Sequence, residues 1–194
     1  MSNEITVDGE SIKKSAEDLV DLIKLRTFPF GMKLFKNVDD MLAIKGLRTP
    51  SDGKFFTTCQ LVTQVSTAGF TLGIVQNNLR PGSSCGANIG LEIVPEDVSS
   101  GERMTGVWFG NQEAAAEHQA QMPRVEAGKY TGLAASPLRS GRLDPPDICL
   151  FYASPGQMIL FINGLQYHNY RRYDFTLTGA VSYTHLTLPT NREV

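Results

Sequence analysis

Thr57-Thr58-Cys59-Gln60-Leu61-Val62-Thr63-Gln64-Val65-Ser66-Thr67-Ala68-Gly69, followed directly by Phe70-Thr71-Leu72-Gly73-Ile74-Val75, is a helix written against a strand. Either Thr57 or Thr58 can cap the helix, because a threonine oxygen accepts from the free N–H groups of the first turn. Leu61, Val62, Val65 and Ala68 then share one face, and Gly69 stands where a helix closes in a left-handed residue. The six residues after it form a short apolar run bounded by polar residues, which reads as a buried strand.

Working outward, the alternation of helix and strand continues. Upstream, Ser11 opens a helix with Ile12, Ala16, Leu19, Val20 and Ile23 on one face, and Pro29 sets its limit because the residue before a proline is pushed out of the α region. Gly31 to Lys36 alternates as a strand. Downstream, a Gly/Ser-rich loop (Arg80-Pro81-Gly82-Ser83-Ser84-Cys85-Gly86) leads into a short helix over Ala87 to Ile93. Met104 to Phe109 reads as a strand, and Asn111 caps an alanine-rich helix to about Met122. Lys129 to Leu138 and Ile148 to Ala153 read as core strands. Ser154-Pro155 opens another helix, a cap residue followed by proline, and Tyr173 to Leu177 reads as a last strand. The expectation is an α/β, mixed α+β fold: one domain over residues 1–180, with a mixed sheet flanked by helices.

The tail, 181–194, is set apart. Val181-Ser182-Tyr183-Thr184-His185-Leu186-Thr187-Leu188-Pro189-Thr190 is, letter for letter, one translated frame of the transposase adapter used in sequencing libraries. It is expected to be artefact, with the genuine chain cut short near Gly179, and is excluded from the fold.

Composition limits the function. Hydrophobic residues make up 41% and charged residues 20% of the 194, with a formal net charge of −2, as in an ordinary globular protein. No Lys/Arg-rich run invites nucleic acid. The apolar runs fall short of the roughly 20 residues that span a bilayer, and the polar N-terminus lacks a signal-peptide core, so the cytoplasm is the expected location. Three cysteines at wide spacing argue against a disulfide scaffold.

Two of those cysteines sit where chemistry is favoured. Cys59 falls in the first turn of a helix, where free N–H groups stabilise a thiolate. Cys85 stands just ahead of the next helix, in a loop whose Gly82, Ser83, Ser84 and Gly86 could clasp an anion. That loop is not a phosphate loop, because the lysine is missing. Cys149 reads as core, His118 as part of a solvated helix face, Trp108 as core, and Asp144 and Asp147 as turn residues. Arg139 with Arg142, and Arg171 with Arg172, are small basic pairs that could receive a carboxylate or phosphate. Three functions stay open, the first of them favoured: a zinc or iron–sulfur centre with Cys59 and Cys85 as two ligands, with an enzyme using a cysteine nucleophile and a module binding a small molecule or anion as alternatives.

Several stretches together resemble a known family: Leu25-Arg26-Thr27-Phe28-Pro29-Phe30-Gly31-Met32-Lys33-Leu34, Thr58-Cys59-Gln60, Cys85-Gly86-Ala87 with Gly90-Leu91, Gly128-Lys129-Tyr130, Ala135-Ser136-Pro137-Leu138, and Pro146-Asp147-Ile148 through Tyr152 to Pro155 and Gln157-Met158. In order and spacing they resemble the domain of unknown function 169 family of bacteria and archaea, from about Leu19 to Gly179. The resemblance implies that Cys59 and Cys85 match family positions, and that members carry further cysteines after Leu177-Thr178-Gly179. It implies no reaction, because none is assigned to the family.

Overall fold

The computed structural model describes residues 8–51, 53–82, 84–168 and 172. Its elements run α1 (Gly9–Ile23), β1 (Phe30–Phe35), α2 (Val38–Leu42), α3 (Thr58–Thr63), β2 (Leu72–Val75), α4 (Ser84–Asn88), α5 (Glu96–Ser99), α6 (Gln112–Ala120), β3 (Gly132–Pro137), β4 (Ile148–Leu150) and α7 (Pro155–Gln166). The fold is mixed α+β.

The segment 57–75 folds as its sequence dictates. Thr57 caps α3 through a reciprocal box: Gln60 N donates to Thr57 Oγ1 at 3.1 Å, and Thr57 N donates to Gln60 Oε1 at 2.9 Å. The helix then widens into a π-turn over Gln64–Ala68. There the Ser66 and Thr67 hydroxyls both donate to the Thr63 carbonyl, competing with the backbone ladder. Gly69 ends the helix at φ +74°, a conformation costly for any residue with a Cβ.

Among the described residues, four strands are ordered β2-β3-β1-β4, and their three ladders are antiparallel. β1 pairs β3 from Phe30↔Pro137 to Phe35↔Gly132, β2 pairs β3 from Leu72↔Ala135 to Val75↔Gly132, and β1 pairs β4 from Phe30↔Leu150 to Met32↔Ile148. Parallel pairing occurs as isolated bridges, including Arg48 with Leu72 and Phe56 with Leu79. All six residues of β3 are buried, so the sheet is covered on both faces. One face carries Phe30, Met32, Leu61, Val65, Leu72, Ile74, Leu79, Leu91 and Leu133. The other packs Met41, Ala134 and Leu143 with Leu47 and Val75. Alternation along β3, Leu133 to one side and Ala134 to the other, follows from the two-residue period of a strand.

Five expectations are corrected. Met104 to Phe109 is not a strand: it follows a 3-10 turn at Glu102–Met104, and the Met104 carbonyl accepts from Val107, Trp108 and Phe109 N–H, which holds the segment as a local knot. The helix expected over Ala87 to Ile93 starts earlier, at Ser84, and takes Cys85 into itself. Cys149 is exposed, not core, because β4 is a three-residue edge strand whose residues are all exposed. His118 is half-buried rather than fully solvated, with its ring 5.1 Å from that of Phe109. Trp108 is likewise only half-buried. The strand expected at Tyr173 to Leu177, the tail 181–194 and the pairing of Arg171 with Arg172 fall outside the described residues. Among the described residues, no helix is long and apolar enough to cross a membrane.

Candidate functional site

Cys59 is the second residue of α3 and is half-buried. It lies close enough to Tyr152 for its charge to act there: the Tyr152 hydroxyl is pushed above the usual tyrosine range, first by burial and then by Cys59. Tyr152 stands two residues past Leu150, where the β1–β4 ladder ends at Phe30. Cys85 is half-buried in α4. Both helices flank one backbone pairing, in which Phe56 N donates to Asn78 O at 2.7 Å and Arg80 N to Phe56 O at 3.1 Å. Leu61 of α3 and Leu79 and Leu91 around α4 share one core cluster, so the two cysteines belong to the same side of the sheet.

The loop around Cys85 is closely packed. A Cβ on Gly86 would stand 2.7 Å from Glu92 Oε2 and 3.1 Å from Leu79, so a carboxylate already lies against this turn. The Gly82 carbonyl accepts from Arg103 Nη1 at 2.9 Å, and Arg103 is itself paired to Asp97 at 2.6 Å and 2.8 Å. That guanidinium holds the Asp97 carboxyl below the usual range. Ser83 lies outside the described residues, and Ser84 begins the helix. Among the described residues, no group of three or more His, Cys, Asp or Glu is arranged to hold a metal ion.

A second arrangement lies at the Gly69 turn. Gly46, Leu47, Arg48, Gly69, Phe70, Thr71 and Arg142 line a cavity of about 320 Å³. Arg48 is pinned by its backbone, its N–H donating to Thr71 O at 3.0 Å and its carbonyl accepting from Gly73 N at 2.9 Å. Its guanidinium lies 4.7 Å from the centre of the Phe70 ring, a cation–π contact that orients the charge. Arg142 Nη1 donates to Thr71 Oγ1 at 2.7 Å, and its guanidinium carbon would be 3.4 Å from a Cβ on Gly46, itself at φ +75°. Thr71, 2% exposed, continues inward through hydroxyls: 2.8 Å to Ser136, which is 1% exposed, and 2.7 Å from Ser136 to Ser140. Arg139 stacks on Phe28 at 3.8 Å and reaches within 3.8 Å of a Cβ position on Gly69. It faces a neighbouring cleft of about 240 Å³ that also contains Glu17 and Asp21.

A family model matches residues 18–184, a span that holds the whole sheet, both cysteines and the three arginines. The chain belongs to the uncharacterised ArCR family, domain of unknown function 169. No curated protein and no solved structure matches it. For this ArCR protein, sequence reasoning had singled out Arg139 and Arg142 but not Arg48, Thr71 or Ser136. Arg48 sits in a stretch without periodicity. Only the bridge to Leu72 and the register Leu72↔Ala135 bring it, the threonine and the serine to one place.

Proposed function

We propose that this ArCR protein binds a small oxyanion, such as a carboxylate, sulfate or phosphate group, in the cleft between Arg48 and Arg142. One observation carries the reading: two guanidiniums and a buried hydroxyl converge on a single cavity whose lining side chains include no carboxylate. Guanidinium–oxyanion hydrogen bonds are charge-assisted and are worth about 1.5–3 kcal/mol each. The chain as a whole carries a net charge of −2, so the clustered arginines run against the overall balance. Gly46 and the Phe70 ring support the guanidiniums, which lowers the ordering cost of binding.

Isothermal titration with sodium sulfate tests the reading. Saturable binding that falls by about tenfold or more in Arg142→Gln and in Arg48→Gln is expected, in line with a lost charge-assisted bond. Heats no different from those of the variants would refute it. A zinc or iron–sulfur centre held by Cys59 and Cys85 is a separate proposal, supported by the two helices flanking one pairing. Metal analysis of the purified protein tests it, and a well-folded protein free of iron and zinc would count against it.

A further inference from the structure

The cleft's hydrogen-bonding polarity goes further than its charge. Arg48 and Arg142 can only donate, since guanidinium has no acceptor. Thr71 is the remaining polar side chain in the lining, and its hydroxyl is set by what lies behind it. Arg142 Nη1 donates to Thr71 Oγ1 at 2.7 Å, occupying one lone pair. At the far end of the hydroxyl chain, Ser140 Oγ accepts from Arg142 N at 3.3 Å.

One orientation fills both lone pairs of Thr71 and leaves its proton for a ligand. Ser140 donates to Ser136 at 2.7 Å, Ser136 donates to Thr71 at 2.8 Å, and Thr71, with both lone pairs taken, donates its own proton into the cavity. The reverse orientation sends the Thr71 proton inward to Ser136 and leaves the cavity without a neutral donor. An oxyanion in the cleft selects the first orientation, because it accepts the proton that orientation aims at it.

We infer that Ser140 and Ser136 direct the Thr71 hydroxyl toward the ligand, making this a site whose side chains only donate and which favours oxyanions carrying no proton: sulfate, sulfonate, carboxylate or the fully ionised phosphate monoester. The inference rests on the oxyanion reading above. Thr71 contacts the ligand, whereas Ser136 and Ser140 are positioning residues. An anion with a P–OH group meets side chains that offer it no acceptor, so its proton must turn away from the arginines and Thr71, whereas sulfate can present every oxygen to them.

Sulfate and hydrogen phosphate form the test pair. At about pH 8.5 both are dianions of nearly the same size, and they differ by one O–H. In titrations of the full chain, sulfate is expected to bind about two- to tenfold more tightly than hydrogen phosphate. Ser136→Ala frees a lone pair on Thr71 to accept from the P–OH, so it narrows the ratio while leaving phosphate binding at least as strong. Ser140→Ala, at a half-buried position, should narrow it in the same direction and decides the matter if Ser136→Ala fails to fold. Equal affinities in the unaltered protein overturn this inference and leave the oxyanion reading standing. Binding of neither anion overturns both. A sulfate preference that survives unchanged in the serine variants overturns the directed chain.

Discussion

The hydroxyl pair Thr71–Ser136 can be tested without any ligand. Both residues are almost fully buried, at 2% and 1% exposure, and their oxygens are 2.8 Å apart. Thr71→Val removes one hydroxyl at nearly constant volume, and Ser136→Ala removes the other. An orphaned buried polar group costs about 1–3 kcal/mol, but neither single variant leaves a complete orphan. Ser136 keeps Ser140 at 2.7 Å, and Thr71 keeps Arg142 at 2.7 Å. Each single substitution should therefore fall in the lower half of that range, about 1–2 kcal/mol. The shared bond can be lost only once, so the double variant should cost less than the sum of the singles by about 0.5–1.5 kcal/mol. Urea unfolding gives all three values, provided the midpoint shifts while the m-value holds. Costs that add to within about 0.3–0.5 kcal/mol would mean that the two hydroxyls do not bond, and the directed chain would lose its middle link.

Two further outcomes follow from the geometry. Gly101→Ala should destabilise by about 1–3 kcal/mol more than Gly106→Ala: both share the strain of a Cβ at positive φ, but at Gly101 that Cβ would lie 2.5 Å from Ala116 N and 2.6 Å from Gln112 O, whereas nothing is within 4 Å at Gly106. Similar melting curves would mean that α6 can back away. Cys149 is exposed, yet neighbouring atoms desolvate its sulfur enough to push the thiol above its usual range. Less thiolate then forms at a given pH, so iodoacetamide should label it more slowly than a free peptide cysteine at about pH 8. The midpoint of rate against pH should be displaced upward, and a midpoint at or below that of the peptide would contradict the desolvation.

The contrast between what was legible and what was not has a physical basis. Residues 57–75 were legible because a capping threonine, a helical face and a terminal glycine each act within a few positions of themselves. Ile148-Cys149-Leu150 was misread because an apolar run is the same in a central strand and at an edge. Only the order β2-β3-β1-β4 distinguishes them, and that order is set by pairings more than a hundred residues apart in sequence, such as Met32 with Ile148. Met104 to Phe109 has the spacing of a strand, but three N–H groups converge on one carbonyl, a local competition that periodicity does not register. The cysteines were visible as residue types, whereas the packing of Glu92 against Gly86 was not.

The arginine cleft draws on the parts of the fold with the least freedom. Ser136 lies in the inner strand β3, buried and paired with Gly31 of β1, one residue beyond the end of the β2 ladder. Thr71 enters β2 directly from the helix-closing glycine, and Arg48 is tied to that same edge by two backbone hydrogen bonds. Ser136, Thr71 and Arg48 therefore issue from hydrogen-bonded backbone, the setting in which a site can be held to sub-ångström geometry, whereas Arg142 comes from the segment that leads to β4. What can still move is the outer end of each guanidinium, and those ends rest on Phe70 and Gly46. Ordering two long side chains would otherwise cost about 0.5–1.5 kcal/mol apiece on binding. With that cost reduced beforehand, a modest number of charge-assisted bonds suffices to hold a small anion, and selectivity rests on the direction in which one threonine hydroxyl points.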